Sequence, residues 1–383
     1  MEQREGFRLG GLDGLRALAC IAVLFYHTWP TFLPGGFLGV DVFFVLSGFL
    51  ITSILLRDLE TKERIDLPRF WLRRWRRLFP AVFLVVFVTV PIAAVLNIDL
   101  LARIKEQVLS ALTFTYNWAA IFSGSSYFDQ GTPRFLTNMW TLSVEQQFYI
   151  LWPVFVFALW FFPKRIRVIV ALVLAAISVI LMIYFVATND DFSRAYMGTD
   201  SHSFGLMIGA AVAFADGRVL SPDSNARIYI PRKVVAVSAV AGLSLISFCF
   251  YHVADQNQLA YPWWTLVVVF STAIVCLAMT APYQTGSSPR AIRIVLDLLP
   301  LRWIGERSYG IYLWHWPLVV MWWDLQPQAP LWLGTLVVGG LSITAAAFSY
   351  KYVENPMRFN GIFATLKRWF TAVVVAFGKK ATV

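Results

Sequence analysis

Arg16 and His27 stand eleven positions apart in GLDGLRALACIAVLFYHTWP, the first apolar run of the chain. At about 100° per residue this spacing completes roughly three turns, so both side chains share one helix face, about 16 Å apart along it. A guanidinium can hold an anion, and an imidazole can take a proton from a hydroxyl. Ionisable groups inside a membrane helix are costly, turn toward the protein interior and are functional candidates by default. One face with a fixed cation at one end and a titratable ring at the other reads as a reaction path across a bilayer.

A second set is cationic. Arg69, Arg73, Arg74, Arg76 and Arg77 fall within the run RFWLRRWRRLFPA, interleaved with Phe70, Trp71 and Trp75. Guanidinium forks match phosphate oxygens. A juxtamembrane basic cluster on lipid headgroups explains the run equally well, and the aromatics also fit an interfacial belt.

The acidic candidate is Glu145, in TNMWTLSVEQQFYILWP. Beside His27 it would stabilise the imidazolium formed when a hydroxyl loses its proton; spacing alone does not bring the two together. A histidine at the end of a span can equally well bond a carbonyl or water. His252 flanks a loop, and His315, among Tyr312, Trp314 and Trp316, reads as a packing histidine, with a site in the inner cavity as the alternative. The four histidines are too dispersed for a metal site, so none is expected. Asp41, Asp200 and His202 join His27 at the same side of the membrane, with Trp118, Tyr127 and Trp140 suited to sugar stacking or to interfacial anchoring.

These residues need elements to carry them. Of 383 residues 58% are hydrophobic, with 16 Trp and a positive mean hydropathy, which fits a multi-spanning membrane protein and excludes a soluble domain of this length. Apolar runs near 12–29, 36–56, 78–97, 141–162, 168–187, 203–216, 234–252, 262–281, 308–323 and 331–350 predict an all-α bundle of about ten transmembrane helices. A weaker run at 362–377 is a possible eleventh. The first run contains Arg16 and no small-residue cleavage site follows, so it is a retained span. Cys20, Cys249 and Cys276 lie within apolar runs as buried fillers.

The net charge of +10 is not a nucleic-acid signature, because Lys and Arg collect in alternate connections. These are Arg57 to Arg77, Lys164 to Arg167, Arg218 to Lys233, Arg290 to Arg307 and Lys351 to Arg368. The rule that positive loops stay inside then puts the amino terminus in the cytoplasm, Arg16 and the arginine run on the inner side, and His27, Asp41, Glu145, Asp200 and His202 on the outer side. The longest outer connection, Ile98 to Met139, includes the apolar stretch Val108 to Phe122, which is too short to span and is expected to lie in the interface or fold over the outer cavity.

The stretches GLDGLRALACIAVLFYH, GGFLGVDVFFVLSGFLIT, FWLRRWRRLFPA, MWTLSVEQQFYILWP, ERSYGIYLWHWPL and YKYVENPMR together resemble the membrane acyltransferase-3 family, in the family's order. The resemblance covers about residues 10 to 358 and implies an acyltransferase-3 transmembrane domain over 1–358, with 359–383 a tail or a further helix. It implies transfer of an acyl group, acetyl by family default, from cytoplasmic acyl-CoA as donor substrate to an extracytoplasmic glycan or glycolipid, with no bound cofactor. The site is then the bacterial cytoplasmic membrane. The family's functional positions fall on Arg16, His27, Arg74 with Arg77 (Arg73 and Arg76 forming a second match), Glu145, Ser308 and Tyr309. A departure occurs before the sixth span. Where many members read Thr-Asp-Thr-Arg, this chain has Thr199, Asp200, Ser201 and His202. Many relatives also continue into an extracytoplasmic SGNH domain, which the native protein would carry if it is longer than this sequence; Lys379 and Lys380 would fit the charge rule poorly after an eleventh span.

The expected division of labour is His27 as general base with Glu145. Arg16, Arg73, Arg74, Arg76, Arg77, Ser308 and Tyr309 bind the donor, and Asp41, Trp140, Asp200 and His202 serve the acceptor side. Direct transfer and a covalent acyl-protein intermediate are both compatible with this set. A transporter or flippase of lipid-linked sugars is the alternative, and it would show inverted repeats and helices broken near the midplane.

Overall fold

The computed structural model describes residues 10–128, 134–189, 191–215, 231–280 and 290–378. The expectations placed on Arg218, Lys379 and Lys380 lie outside them. The described residues form an all-α membrane bundle with no strand. Its helices in chain order are α1 (Leu12–Thr28), α2 (Gly39–Lys62), α3 (Leu67–Leu96), α4 (Ile104–Leu112), α5 (Tyr116–Phe122), α6 (Met139–Leu159) and α7 (Lys164–Thr188). There follow α8 (Ser193–Met197), α9 (Thr199–His202), α10 (Phe204–Ala215), α11 (Arg232–His252), α12 (Trp263–Thr280), α13 (Arg290–Leu296), α14 (Leu299–Leu325), α15 (Leu331–Ser349), α16 (Asn355–Asn360) and α17 (Ile362–Gly378).

Among these residues seven helical stretches are long and apolar enough to cross a membrane by length and composition, against the ten expected. The difference has a physical source. α1 is only 17 residues long, α10 is a shorter apolar helix, and α14 carries Arg302, Glu306 and Arg307 in its first turns. All three are largely buried against other helices, so they need less apolar surface of their own.

α1, which carries Arg16 and His27, packs against α2, α14 and α15. Small residues make this possible: Ala17, Ala19 and Ala22 are fully buried, and a Cβ on Gly305 of α14 would run into the Asp13 carbonyl of α1. Gly11 supplies the left-handed turn that starts α1, at φ 88°, and its N–H donates to Asp297 Oδ1 at 2.8 Å.

α3 presents the arginine run. Asp66 caps it by accepting from the Arg69 N–H at 3.1 Å, and Pro68 occupies its first turn, where a missing N–H costs nothing. The stretch Val108 to Phe122 falls within two short helices, α4 and α5. It forms the hairpin α4–α5, which turns at Phe114, and the Phe114 ring meets Trp75 of the arginine run edge-on at 6.4 Å. Polar groups satisfy the backbone there: the Tyr116 N–H donates to Ser143 Oγ at 3.0 Å and Gln147 Nε2 to the Phe114 carbonyl at 3.2 Å.

Candidate active site

The arginine run opens onto a cleft of about 460 Å³ lined by Arg73, Arg74 and Arg77 of α3, with Arg16 of α1 and Arg358 of α16. Glu145 is the one carboxylate on its wall. Five guanidiniums beside one carboxylate give the cleft an excess of positive charge, the chemistry that suits a polyanion. The α-helical period explains which arginines take part. Arg73, Arg74 and Arg77 point within about 100° of one another, whereas Arg76 points about 100° away from their mean direction. Arg76 lies instead against Gly361, beyond α16. Arg358 was not singled out from sequence, although it ends the stretch YKYVENPMR; it lies on α16, which follows a π-helical turn at Tyr350–Glu354.

Beyond the cleft lies a narrower space of about 40 Å³, walled by Arg16, Glu145, Ser308, Tyr309 and Tyr312 among others. It shares Arg16, Glu145 and Tyr309 with the cleft. This is room for a few water molecules rather than for a chain. The Ser308 hydroxyl and Arg16 Nε are buried there without a hydrogen-bond partner, polar groups held ready for something that enters. The Tyr309 hydroxyl donates to the Leu78 carbonyl at 2.8 Å, tying α14 to α3.

Glu145 belongs to this region and not to the His27 end. It accepts from Ser47 Oγ at 2.6 Å and from the Tyr149 hydroxyl at 3.5 Å. The reason is the entry of α6. Asn138, just before it, donates to the Tyr312 and Leu313 carbonyls at 2.8 and 3.3 Å, and seven residues of helix then carry Glu145 about 10 Å farther in. His27 and Glu145 are therefore not hydrogen-bonded to each other.

The partners of His27 are different. Its Nδ1 lies 3.1 Å from Nε2 of His315, and its Nε2 lies 3.3 Å from the Tyr127 hydroxyl. Trp316 stands edge-on to the ring at 4.7 Å and Tyr26 at 4.8 Å. His27 keeps part of its surface accessible, whereas His315 is 1% exposed. The Tyr312 side chain walls the narrow space, and its carbonyl bonds His315 Nδ1 at 2.5 Å, so the two ends of the site are linked through neighbouring residues of α14.

The remaining acceptor-side candidates are brought together but turned inward. His202 Nε2 meets Asp41 Oδ1 at 2.9 Å and its Nδ1 meets the Tyr196 carbonyl at 2.6 Å, with Asp41, Trp140 and His202 all fully buried. This pair clasps α2 to α9 and offers no surface to an acceptor in this conformation. Asp200 is held by Arg194 at 2.6 and 2.9 Å, and Arg194 lies over the Phe185 ring at 3.7 Å. Trp118 Nε1 donates to Gln147 at 3.1 Å. Of the aromatics considered for sugar contact, Tyr127 alone reaches His27.

Comparison with known proteins agrees with this architecture. A family described as an acyltransferase domain, acyltransferase-3, matches residues 9–351. The chain is 36% identical over 358 residues to the peptidoglycan O-acetyltransferase OatA of Listeria monocytogenes, covering 91% of this chain and 56% of that protein. It is 34% identical over 357 residues to the O-acetyltransferase OatA of Staphylococcus aureus, covering 92% of this chain and 58% of that protein. The chain thus spans somewhat more than half the length of these relatives. No solved structure matches it. With the family match running over nearly its whole length, the chain belongs to the acyltransferase-3 family.

Proposed function

We propose that this chain is a membrane O-acyltransferase that carries an acetyl group from cytoplasmic acetyl-CoA to a hydroxyl of an extracytoplasmic cell-envelope glycan, peptidoglycan in the first instance. The observation that carries the reading is the pairing of a five-arginine cleft with a partly accessible His27 along one helix, joined by the shared walls Arg16, Glu145 and Tyr309 and by Tyr312. The names of the relatives support acetyl as the group and peptidoglycan as the acceptor. Alternating basic connections support an orientation with the arginine cleft inside and His27 outside.

In this reading the donor's phosphates rest on Arg73, Arg74, Arg77 and Arg358, and its thioester arm passes Arg16 and Ser308 into the narrow space, which widens as Tyr309 and Tyr312 give way. Glu145 offsets part of the arginine charge and fixes Ser47. His27 Nε2 takes the proton of the acceptor hydroxyl as that oxygen attacks the thioester carbonyl carbon. The carbon–sulfur bond then breaks, and the proton on His27 passes to the departing thiolate, so the ring ends neutral.

The test is to compare envelope glycans from strains with and without the protein, and to supply purified protein in liposomes with labelled acetyl-CoA and a muropeptide polymer. Ester-linked label on the glycan, lost with the His27→Ala protein, supports the reading. Label transfer unaffected by that substitution would remove His27 from the chemistry, and movement of glycan across the liposome without esterification would favour a flippase.

A further inference from the structure

We propose that His315 is the positioning residue of His27: it fixes which ring nitrogen of His27 carries the proton, and so leaves Nε2 as the base. The argument begins at the Tyr312 carbonyl. A carbonyl only accepts, so His315 Nδ1, 2.5 Å from it, must carry the hydrogen. His315 is 1% exposed, and among the described residues no carboxylate is hydrogen-bonded to either histidine. A second proton on that ring would be a buried charge without a partner. Its Nε2 is therefore a lone pair, and a lone pair can only accept.

The proton between the rings then belongs to His27. Its Nδ1–H donates to His315 Nε2 at 3.1 Å. A neutral ring that carries its proton on Nδ1 has Nε2 unprotonated, facing the Tyr127 hydroxyl at 3.3 Å. That hydroxyl stands where an acceptor alcohol would have to be to surrender its proton. The helix-packing role expected for His315 is thus joined by a chemical one, the role expected of Glu145, which lies about two helical turns deeper. When His27 becomes an imidazolium, the same Nδ1–H bond strengthens against His315 Nε2, so the orienting group also holds the charged ring in place.

The chemistry rests on the O-acyl-transfer reading; the tautomer does not. The protein contains four histidines, few enough for ¹⁵N-histidine solid-state NMR of the full chain in liposomes, with the His27 signal assigned by its loss in His27→Asn. The wild-type ring is expected as the Nδ1–H tautomer, and in His315→Leu the population shifts toward Nε2–H. In parallel, His315→Leu should lower the transfer rate at saturating acetyl-CoA by about 10- to 100-fold, the loss typical of a misdirected catalytic group, with acetyl-CoA KM unchanged. His315→Gln, whose amide oxygen can still accept from Nδ1–H, should recover most of that loss. A wild-type His27 protonated on Nε2, or a tautomer unchanged by His315→Leu, overturns the proposal. If His315→Leu does not fold, the wild-type tautomer and the His315→Gln rate decide it. An inactive protein with the expected tautomer would refute the transfer reaction and leave the positioning role standing.

Discussion

Replacing Arg77 should cripple donor binding, whereas replacing Arg76, its immediate neighbour, should barely affect it. The two are equivalent by composition, and on lipid headgroups they would behave alike. Arg77 lines the cleft, and Arg76 points about 100° away from the mean direction of its three cleft-lining neighbours and toward Gly361. A hydrogen bond from a charged donor is worth about 1.5–3 kcal/mol. Loss of the Arg77 contact to a phosphate therefore weakens acetyl-CoA affinity by about 10- to 150-fold. Arg76→Ala should stay within about fivefold, since a half-buried charge that does not line the cleft contributes only about 0–1 kcal/mol. The assay is equilibrium binding of labelled acetyl-CoA to each protein in nanodiscs of fixed lipid composition, which isolates donor recognition from chemistry. A salt titration accompanies it, because screening acts more on peripheral charges than on enclosed ones. Equal losses for the two variants, or a larger loss for Arg76→Ala, would refute the cleft as the phosphate site and return the arginine run to a membrane-anchoring role.

His27→Ala should lower the acetyl-transfer rate by about 10²–10⁴-fold with acetyl-CoA binding unchanged; a parallel loss of donor binding would place the ring in the wrong step. Arg358→Ala should weaken acetyl-CoA binding in the same range as Arg77→Ala, checked in the same nanodisc assay, even though it belongs to a different helix. Asp41→Ala leaves His202 Nε2 buried without its partner and should cost about 1–3 kcal/mol of stability, read as a lowered denaturation midpoint in mixed micelles. Gly305→Val forces α14 away from the Asp13 carbonyl and should cost about 1–3 kcal/mol, measured in the same way.

The helical class and most helix positions were legible because apolar runs of membrane length are long, repeated signals that survive imprecise ends. Arg16 and His27 were legible together for the same reason: eleven residues on one regular helix fix their relative direction. The failures all concern relations between segments. Nothing in the spacing of Glu145 shows that Asn138 is pinned to the Tyr312 carbonyl, and that pin sets the depth of α6. Asp41 and His202 read as acceptor-side residues because each sits near the end of a helix, yet the two are hydrogen-bonded to each other in the interior. The turn between α4 and α5 was not legible in the stretch Val108 to Phe122, because an apolar run too short to span gives no sign of which polar partners fix it. Asn117 donates to Thr199 at 2.9 Å inside the bundle. Burial of a polar residue depends on its partner, and the partner is remote in sequence.

That His315, and not Glu145, lies beside the proposed base His27 has an electrostatic logic particular to a membrane. A carboxylate next to a neutral His27 would be an uncompensated charge between turnovers, and removing such an ion from water costs several kcal/mol. A neutral second imidazole accepts the same hydrogen bond at the cost of burying only a dipole. The carboxylate is instead placed where charge already exists, on a wall shared with Arg16, Arg73, Arg74, Arg77 and Arg358. There it trims a surplus of positive charge that would otherwise hold a polyanionic donor too firmly for the spent carrier to leave. On this view Glu145→Gln should act mainly on donor exchange: acetyl-CoA and free CoA both bind more tightly, and the rate of CoA release falls. The measurement is stopped-flow displacement of a fluorescent CoA. A faster release, or a loss confined to the proton-transfer step, would return Glu145 to the side of His27.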